Sequence, residues 1–206
     1  MIDIIKQNKI ISVIKSDSYE NSYNFAQACI DGGIKNIEII STSPGAKRLI
    51  RELSKVNGIC IGAGTVLDKE VAKEAIDLGA KFIVCPHTDP EIINFCRENG
   101  SAIISGAFTS SEIINAWKLG ADMVKIFPSS LLGPKYIKAV KEPLPFVDIF
   151  VTGGINLENI GDYFISGAAC VGLSTALLGK NKTINYHSIV EISKKFVNKT
   201  LENEKN

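Results

Sequence analysis

The sequence has almost no net charge, +1 over 206 residues, and its lysines and acids are interspersed with no basic stripe. That leaves no electrostatic footprint for nucleic acid or an anionic membrane, and neither is expected as a partner. No apolar run approaches the roughly 18 residues that a membrane-spanning helix requires. Asp3, Lys6 and Lys9 interrupt the apolar residues of the N-terminus, which does not read as a signal peptide. Histidine is scarce: His87 and His187 stand far apart with no ligand spacing around either, so no metal site is expected. The cysteines, Cys29, Cys60, Cys85, Cys96 and Cys170, are odd in number and contain no CxxC pair. Cys60, Cys85 and Cys170 fall in strand-like runs, where cysteine acts as a small hydrophobe. A reduced, cytoplasmic setting is the expectation. Linkers, low-complexity stretches and a second domain are also missing, so residues 1–206 are expected to form one domain, with a frayed tail at 202–206.

What is present is a single period from end to end. Apolar, β-branched runs alternate with amphipathic helical stretches. The runs are Ile10–Ile14, Ile34–Ile39, Ile59–Gly62, Lys81–Val84, Ala102–Ile104, Met123–Phe127, Val147–Val151 and Ala169–Gly172. Their starts are roughly 21 to 25 residues apart, the length of a compact strand–loop–helix–loop unit. Eight such units predict a closed, parallel (β/α)₈ barrel; the rival is an open doubly wound sheet. Gly32-Gly33, Gly79, Gly100, Gly120 and Gly167 stand where helices should end. Asp68, Thr109 or Ser110, and Asn156 stand where helices should start. Ile189, Ile192, Phe196, Val197 and Leu201 predict an amphipathic closing helix over 184–201.

In such a barrel, reactive groups stand at the C-terminal ends of strands. Two charged side chains sit inside apolar strand segments, Glu38 within Ile37–Ile40 and Lys125 within Met123–Phe127. Each is costly there unless paired or used. A lysine amine in an apolar pocket is the nucleophile for Schiff-base chemistry, whereas a lysine that snorkels or pairs with an acid would be structural. The bland alternative for the pair is a buried ion pair that fixes strand register. Thr152-Gly153-Gly154 ends strand seven and Gly172–Thr175 ends strand eight. Together they read as a phosphate cradle, with Gly153, Gly154, Gly172, Ser174 and Thr175 as candidates and a helix starting near Asn156. Lys15, ending strand one, is a candidate carboxylate or phosphate partner, or else a solvated lysine. Thr65 either orients substrate or caps the next helix. Phe127 and Pro86 pack, and Phe127 walls the lysine's pocket.

These residues resemble a known family. Gly120-x₃-Val124-Lys125-Ile126-Phe127-Pro128-Ser129-x₃-Gly133 is similar to the Schiff-base lysine signature of the bacterial KDPG/KHG aldolases. Those act on 2-dehydro-3-deoxy-6-phosphogluconate and 4-hydroxy-2-oxoglutarate. Gly33-x₃-Ile37-Glu38-Ile39 resembles the family's signature around its catalytic glutamate, and Ile61–Val66 and Val151–Ile155 also match. The resemblance covers about Ile10 to Leu178. It implies a (β/α)₈ barrel, a homotrimer, and metal-free, cofactor-free aldol cleavage to pyruvate. In that scheme Lys125 forms the imine and Glu38 moves protons through a water. Thr65, Thr152, Phe127 and Pro86 would contact a small 2-keto acid substrate, and the two glycine-bearing loops would hold phosphate.

Some positions depart from the family pattern. An arginine commonly follows the glutamate by four residues, where this chain has Thr42; others carry an arginine where strand one ends in Lys15. Ile40 replaces a usual threonine, and Leu173-Ser174-Thr175 carries less glycine than usual. A lysine offers a point charge where arginine offers a fork. Two other functions are compatible with the same residues. A phosphosugar isomerase or epimerase would use Glu38 as base and Lys125 as an electrostatic stabiliser. A non-catalytic barrel would bind a phosphosugar without turnover. Borohydride trapping with pyruvate separates both from an aldolase.

Overall fold

The computed structural model describes residues 2–179 and 184–202. Eight parallel strands close into a barrel: β1 (Ile10–Ile14), β2 (Asn36–Ile40), β3 (Cys60–Gly64), β4 (Phe82–Val84), β5 (Ala102–Ala107), β6 (Met123–Ile126), β7 (Ile149–Thr152) and β8 (Cys170–Leu173). Each pairs with the next, and β8 returns to β1 through Ile10↔Val171 and Ile11↔Gly172. The open sheet is thereby excluded. Helix α1 (Ile2–Asn8) precedes the barrel. Helices α2 (Tyr19–Asp31), α3 (Ala46–Leu53), α4 (Lys69–Asp77), α5 (Pro90–Glu98), α6 (Ser110–Lys118), α7 (Gly133–Lys141), α8 (Ile160–Ile165) and α9 (Tyr186–Glu202) surround it.

Local chemistry sets these boundaries. Ser18, Asp68, Asp89 and Thr109 each occupy an N-cap with extended backbone and accept from an N–H of the first helical turn. At α6 the cap is Thr109 rather than Ser110, and Glu112 completes a capping box. Gly33, Gly79, Gly100, Gly120 and Gly167 all adopt positive φ after their helices. Gly32 instead is right-handed; its role is close packing, since a Cβ there would overlap Ser193 of α9.

Three expectations change. The stretch after β7 is not yet helix at Asn156: that side chain accepts from the Glu158 and Asn159 N–H groups to close a turn, and α8 begins at Ile160. In α9 the buried stripe runs through Ile189, Ser193, Phe196 and Thr200, so Leu201, one residue round from Thr200, is turned out and is 51% exposed. Glu202 is the last residue of α9 rather than part of a tail, and residues 203–206 lie outside the described ones.

Two apolar layers hold the fold. The outer layer packs strand residues such as Ile37, Ile83, Val124 and Val151 against the helices. The inner layer fills the lower barrel with Ile11, Cys60, Phe82, Val84, Ile104, Met123, Phe150 and Cys170. Helix α1 closes that floor: Ile5 is fully buried in it, and the buried Asn36 amide donates to the Ile5 and Ile10 carbonyls. The inner layer stops partway up the barrel, so the upper half of the interior is left for other side chains.

Candidate active site

Glu38 and Lys125 stand above the apolar floor. Side chains alternate along a strand, so Asn36, Glu38 and Ile40 share one face of β2, and Met123 and Lys125 share one face of β6. Met123 belongs to the inner layer, which puts Lys125 inside the barrel. Glu38 is paired in register with Val13 on β1 and Gly62 on β3. Its side chain lies across Gly64, where any Cβ would overlap Oε1; only glycine leaves room for the carboxyl there.

Glu38 is fully buried, and neither of its oxygens has a hydrogen-bond partner among the described residues. Burial pushes its pKa up, opposed by the positive charge of Lys125. A buried carboxyl with both oxygens unpaired is expensive, and groups of that kind concentrate at functional sites. Lys125 is 7% exposed, with Nζ 5.5 Å from the centroid of the Phe127 ring.

Above them opens a cavity of about 370 Å³, lined by Lys15, Thr65, Pro86, Lys125, Phe127 and Thr152, and by Gly153, Gly154, Gly172, Ser174 and Thr175. Every site residue singled out from the sequence except Glu38 therefore borders it; Glu38 is buried in the barrel interior, where the charge of Lys125 still acts on it. Lys15 is exposed at the end of β1. Phe127 lies just beyond β6 and is 53% exposed, a wall at the mouth rather than a core residue. Thr152 Oγ1 donates to the Gly172 carbonyl at 3.3 Å, joining the ends of β7 and β8. Thr65 has φ +56, and the Ser41 hydroxyl holds its carbonyl at 3.1 Å. Left-handed backbone at a threonine is strained and persists only where surrounding bonds hold it.

Val13, Ile40, Ile155 and Ala176 also line the cavity, unforeseen as wall residues. Strand alternation could have found two of them, since Val13 is two residues before Lys15 and Ile40 two after Glu38. Ile155 lies on a loop and Ala176 in the short 3₁₀ helix Thr175–Leu178, and neither carries such a signal. Thr42 is elsewhere: with Ser41, Lys47 and Ile50 it borders a separate pocket of about 170 Å³ beside α3 and α4. Lys15 and Lys125 are the cations among the described residues lining the main cavity. Among the described residues, no cluster of three His, Cys, Asp or Glu is placed to hold a metal.

A family model described as KDPG and KHG aldolase matches residues 1–194. The chain belongs to this family. It is an aldolase, a carbon–carbon lyase. The 2-dehydro-3-deoxy-6-phosphogalactonate aldolase of Escherichia coli K12 is 32% identical to it over 178 residues, 85% of this chain and 87% of that protein. The 2-dehydro-3-deoxy-phosphogluconate aldolase of Treponema pallidum is also 32% identical, over 79% of each chain. Among solved structures, native KDPGal superposes on the aldolase with TM-score 0.87 at 30% identity, covering 96% of both chains. KDPG aldolase from Legionella pneumophila, with pyruvate captured at low pH as a covalent carbinolamine, superposes with TM-score 0.83 at 26% identity, covering 93% of this chain and 95% of that one.

Proposed function

We propose that this aldolase cleaves a 2-keto-3-deoxy-6-phospho sugar acid to pyruvate and glyceraldehyde 3-phosphate through an imine on Lys125. The observation that carries this reading is the fully buried Glu38 carboxyl, without a hydrogen-bond partner among the described residues and within electrostatic reach of Lys125. The unprotonated amine of Lys125 adds to the C2 keto carbon and expels water, leaving an iminium that can accept an electron pair. Glu38, as carboxylate, takes the proton of the C4 hydroxyl through a water. The C3–C4 bond then breaks, its electrons moving into the iminium to give an enamine, and the aldehyde departs. Glu38 returns the proton to C3, and hydrolysis of the new iminium frees pyruvate and the amine. A carboxyl whose pKa is raised toward the working pH suits a group that both takes and returns a proton. The electron sink is the iminium, so the scheme needs no metal and no cofactor.

Lys15 would hold the carboxylate of the pyruvyl end, and Thr65, Thr152, Pro86 and Phe127 would border the chain of the substrate; all five line the cavity. Gly153, Gly154, Gly172, Ser174 and Thr175 would receive the phosphate. The two relatives above are named for phosphorylated sugar acids; the family description also includes KHG, 4-hydroxy-2-oxoglutarate, whose aldehyde product would be glyoxylate. We also propose a single domain, a homotrimer and a cytoplasmic location, the last from five buried free cysteines. Pyruvate release from a panel of 2-keto-4-hydroxy acids, with and without a terminal phosphate, tests the substrate. The phosphorylated six-carbon acids are expected to turn over fastest, and Lys125→Met to be inactive on all. Turnover of none, with proton exchange into a phosphosugar, would favour an isomerase instead.

A further inference from the structure

Two residues that do not face the cavity control the shape of the loop that does. After β7, Gly153 and Gly154 have φ of +90 and +84, a path open to glycine. Their carbonyls are tied down on the far side. The Gly153 carbonyl accepts from Ser129 Oγ at 3.1 Å and from the Ser130 N–H at 3.0 Å. The Gly154 carbonyl accepts from Asn159 Nδ2 at 2.9 Å. In a trans peptide the N–H points opposite to the C=O. Tying these two carbonyls away from the cavity turns the N–H groups of Gly154 and Ile155 toward it, and both residues line it.

Neither tether is incidental. Ser129 is fully buried; its one hydroxyl proton is shared between the Gly153 carbonyl and the Thr152 carbonyl at 3.0 Å, and its own carbonyl accepts from Tyr163 Oη at 3.1 Å. Asn159 sits at the N-cap of α8 but does not cap it. Its Oδ1 accepts from the Asn156 N–H at 2.8 Å while its Nδ2 reaches back across the loop. The packing is close, since a Cβ on Gly154 would lie 2.5 Å from the Ser130 Cβ. The loop after β6, four residues beyond Lys125, thus braces the loop after β7.

We propose that Asn159 and Ser129 are positioning residues that set the aldolase's preference for a substrate with a terminal anionic group, by aiming the Gly154 and Ile155 N–H groups at it. Phosphate and carboxylate share the chemistry such amides recognise. The proposal rests on the aldolase reading for its substrate but not for its anion.

The test uses Asn159→Asp and Ser129→Ala. Asn159→Asp keeps the acceptor for Asn156 N–H and removes the donor to Gly154. In wild type, cleavage of a 6-phospho acid is compared with cleavage of its dephospho and 6-carboxy analogues. For Asn159→Asp, KM for the phospho acid should rise about tenfold, the weight of a hydrogen bond or two. Its kcat should hold within about twofold, and pyruvate trapping at Lys125 by borohydride should be unchanged. Ser129→Ala should shift KM in the same direction by less, because Ser130 N–H still holds Gly153. A larger rise for the 6-carboxy acid would reassign the preference to carboxylate. Equal losses on phospho and dephospho substrates, or none on either, would overturn the proposal. A second readout is independent of turnover: inorganic phosphate should broaden its ³¹P resonance on wild type and less on Asn159→Asp. Equal broadening in both, or none in wild type, would also overturn it. Failure of wild type to trap pyruvate would sink the aldolase mechanism while leaving the phosphate result to stand by itself.

Discussion

Glu38 carries the cost of the site and, in the proposed mechanism, its proton transfer. Its pKa is raised in the folded chain, so folding favours the protonated form, and stability falls as pH rises from the ordinary carboxylate range through the raised value. Glu38→Gln removes that penalty. Its Tm should exceed wild type at pH 8 by about 2–4 °C for each kcal/mol gained. The gain should vanish near pH 4, where the carboxyl is protonated in both states; calorimetry across pH checks this. The same variant should lose about 10²- to 10⁴-fold in kcat, the range for a missing acid–base group, while still trapping pyruvate. A gain in Tm at pH 4 equal to that at pH 8 would contradict the assigned burial. Gly64→Ala is the companion test. The glycine's backbone does not need positive φ, so alanine is tolerated there except for its overlap with Glu38 Oε1. It should lower kcat by about tenfold or more, as expected when a reacting group is displaced by about an ångström. The pair Glu38 and Lys125 was legible in the sequence because charged residues inside apolar strands have few bland explanations. Thr65's left-handed backbone was not, because nothing in a Gly-Thr dipeptide declares the sign of φ.

At the scale of elements, the sequence-based reading succeeded where a single residue type decides the geometry. Asp68 and Thr109 cap helices because their side chains reach the first-turn N–H groups, and the glycines after α4, α5, α6 and α8 leave them with positive φ. Thr109→Ala should cost about 1 kcal/mol in denaturant unfolding, the usual weight of a cap. It fell short where a polar side chain had two uses. Asn156 reads as a helix start, yet it closes a turn, and Asn159 beside it braces the Gly154 carbonyl, so α8 begins late. Helix α1 was read only as the absence of a signal peptide. Its part emerges from tertiary packing, with Ile5 sealing the barrel floor from a sequence neighbourhood that shows no period. Ile5→Ala should cost about 2–5 kcal/mol of stability, as large-to-small changes in packed cores do. Because Ile5 is at the end of the barrel opposite the cavity, kcat of the folded fraction should be unchanged.

For the whole molecule, the eightfold spacing of apolar runs was sufficient to predict closure, and β8 pairing with β1 confirms it. Closure also explains why residues so far apart in sequence share one cavity: parallel strands all deliver their C-terminal ends to the same rim. What spacing could not show is the depth at which the apolar filling stops, since that depends on the stagger of all eight strands. That depth leaves Glu38 dry beneath a solvent-reached Lys125 and makes the proposed chemistry specific to one amine. The most direct measurement is incubation with pyruvate and borohydride, followed by peptide mass mapping. A reduced pyruvyl group should appear on Lys125 and on no other lysine, Lys15 included. An unmodified Lys125, or equal labelling of Lys15, would contradict the imine at the centre of the mechanism.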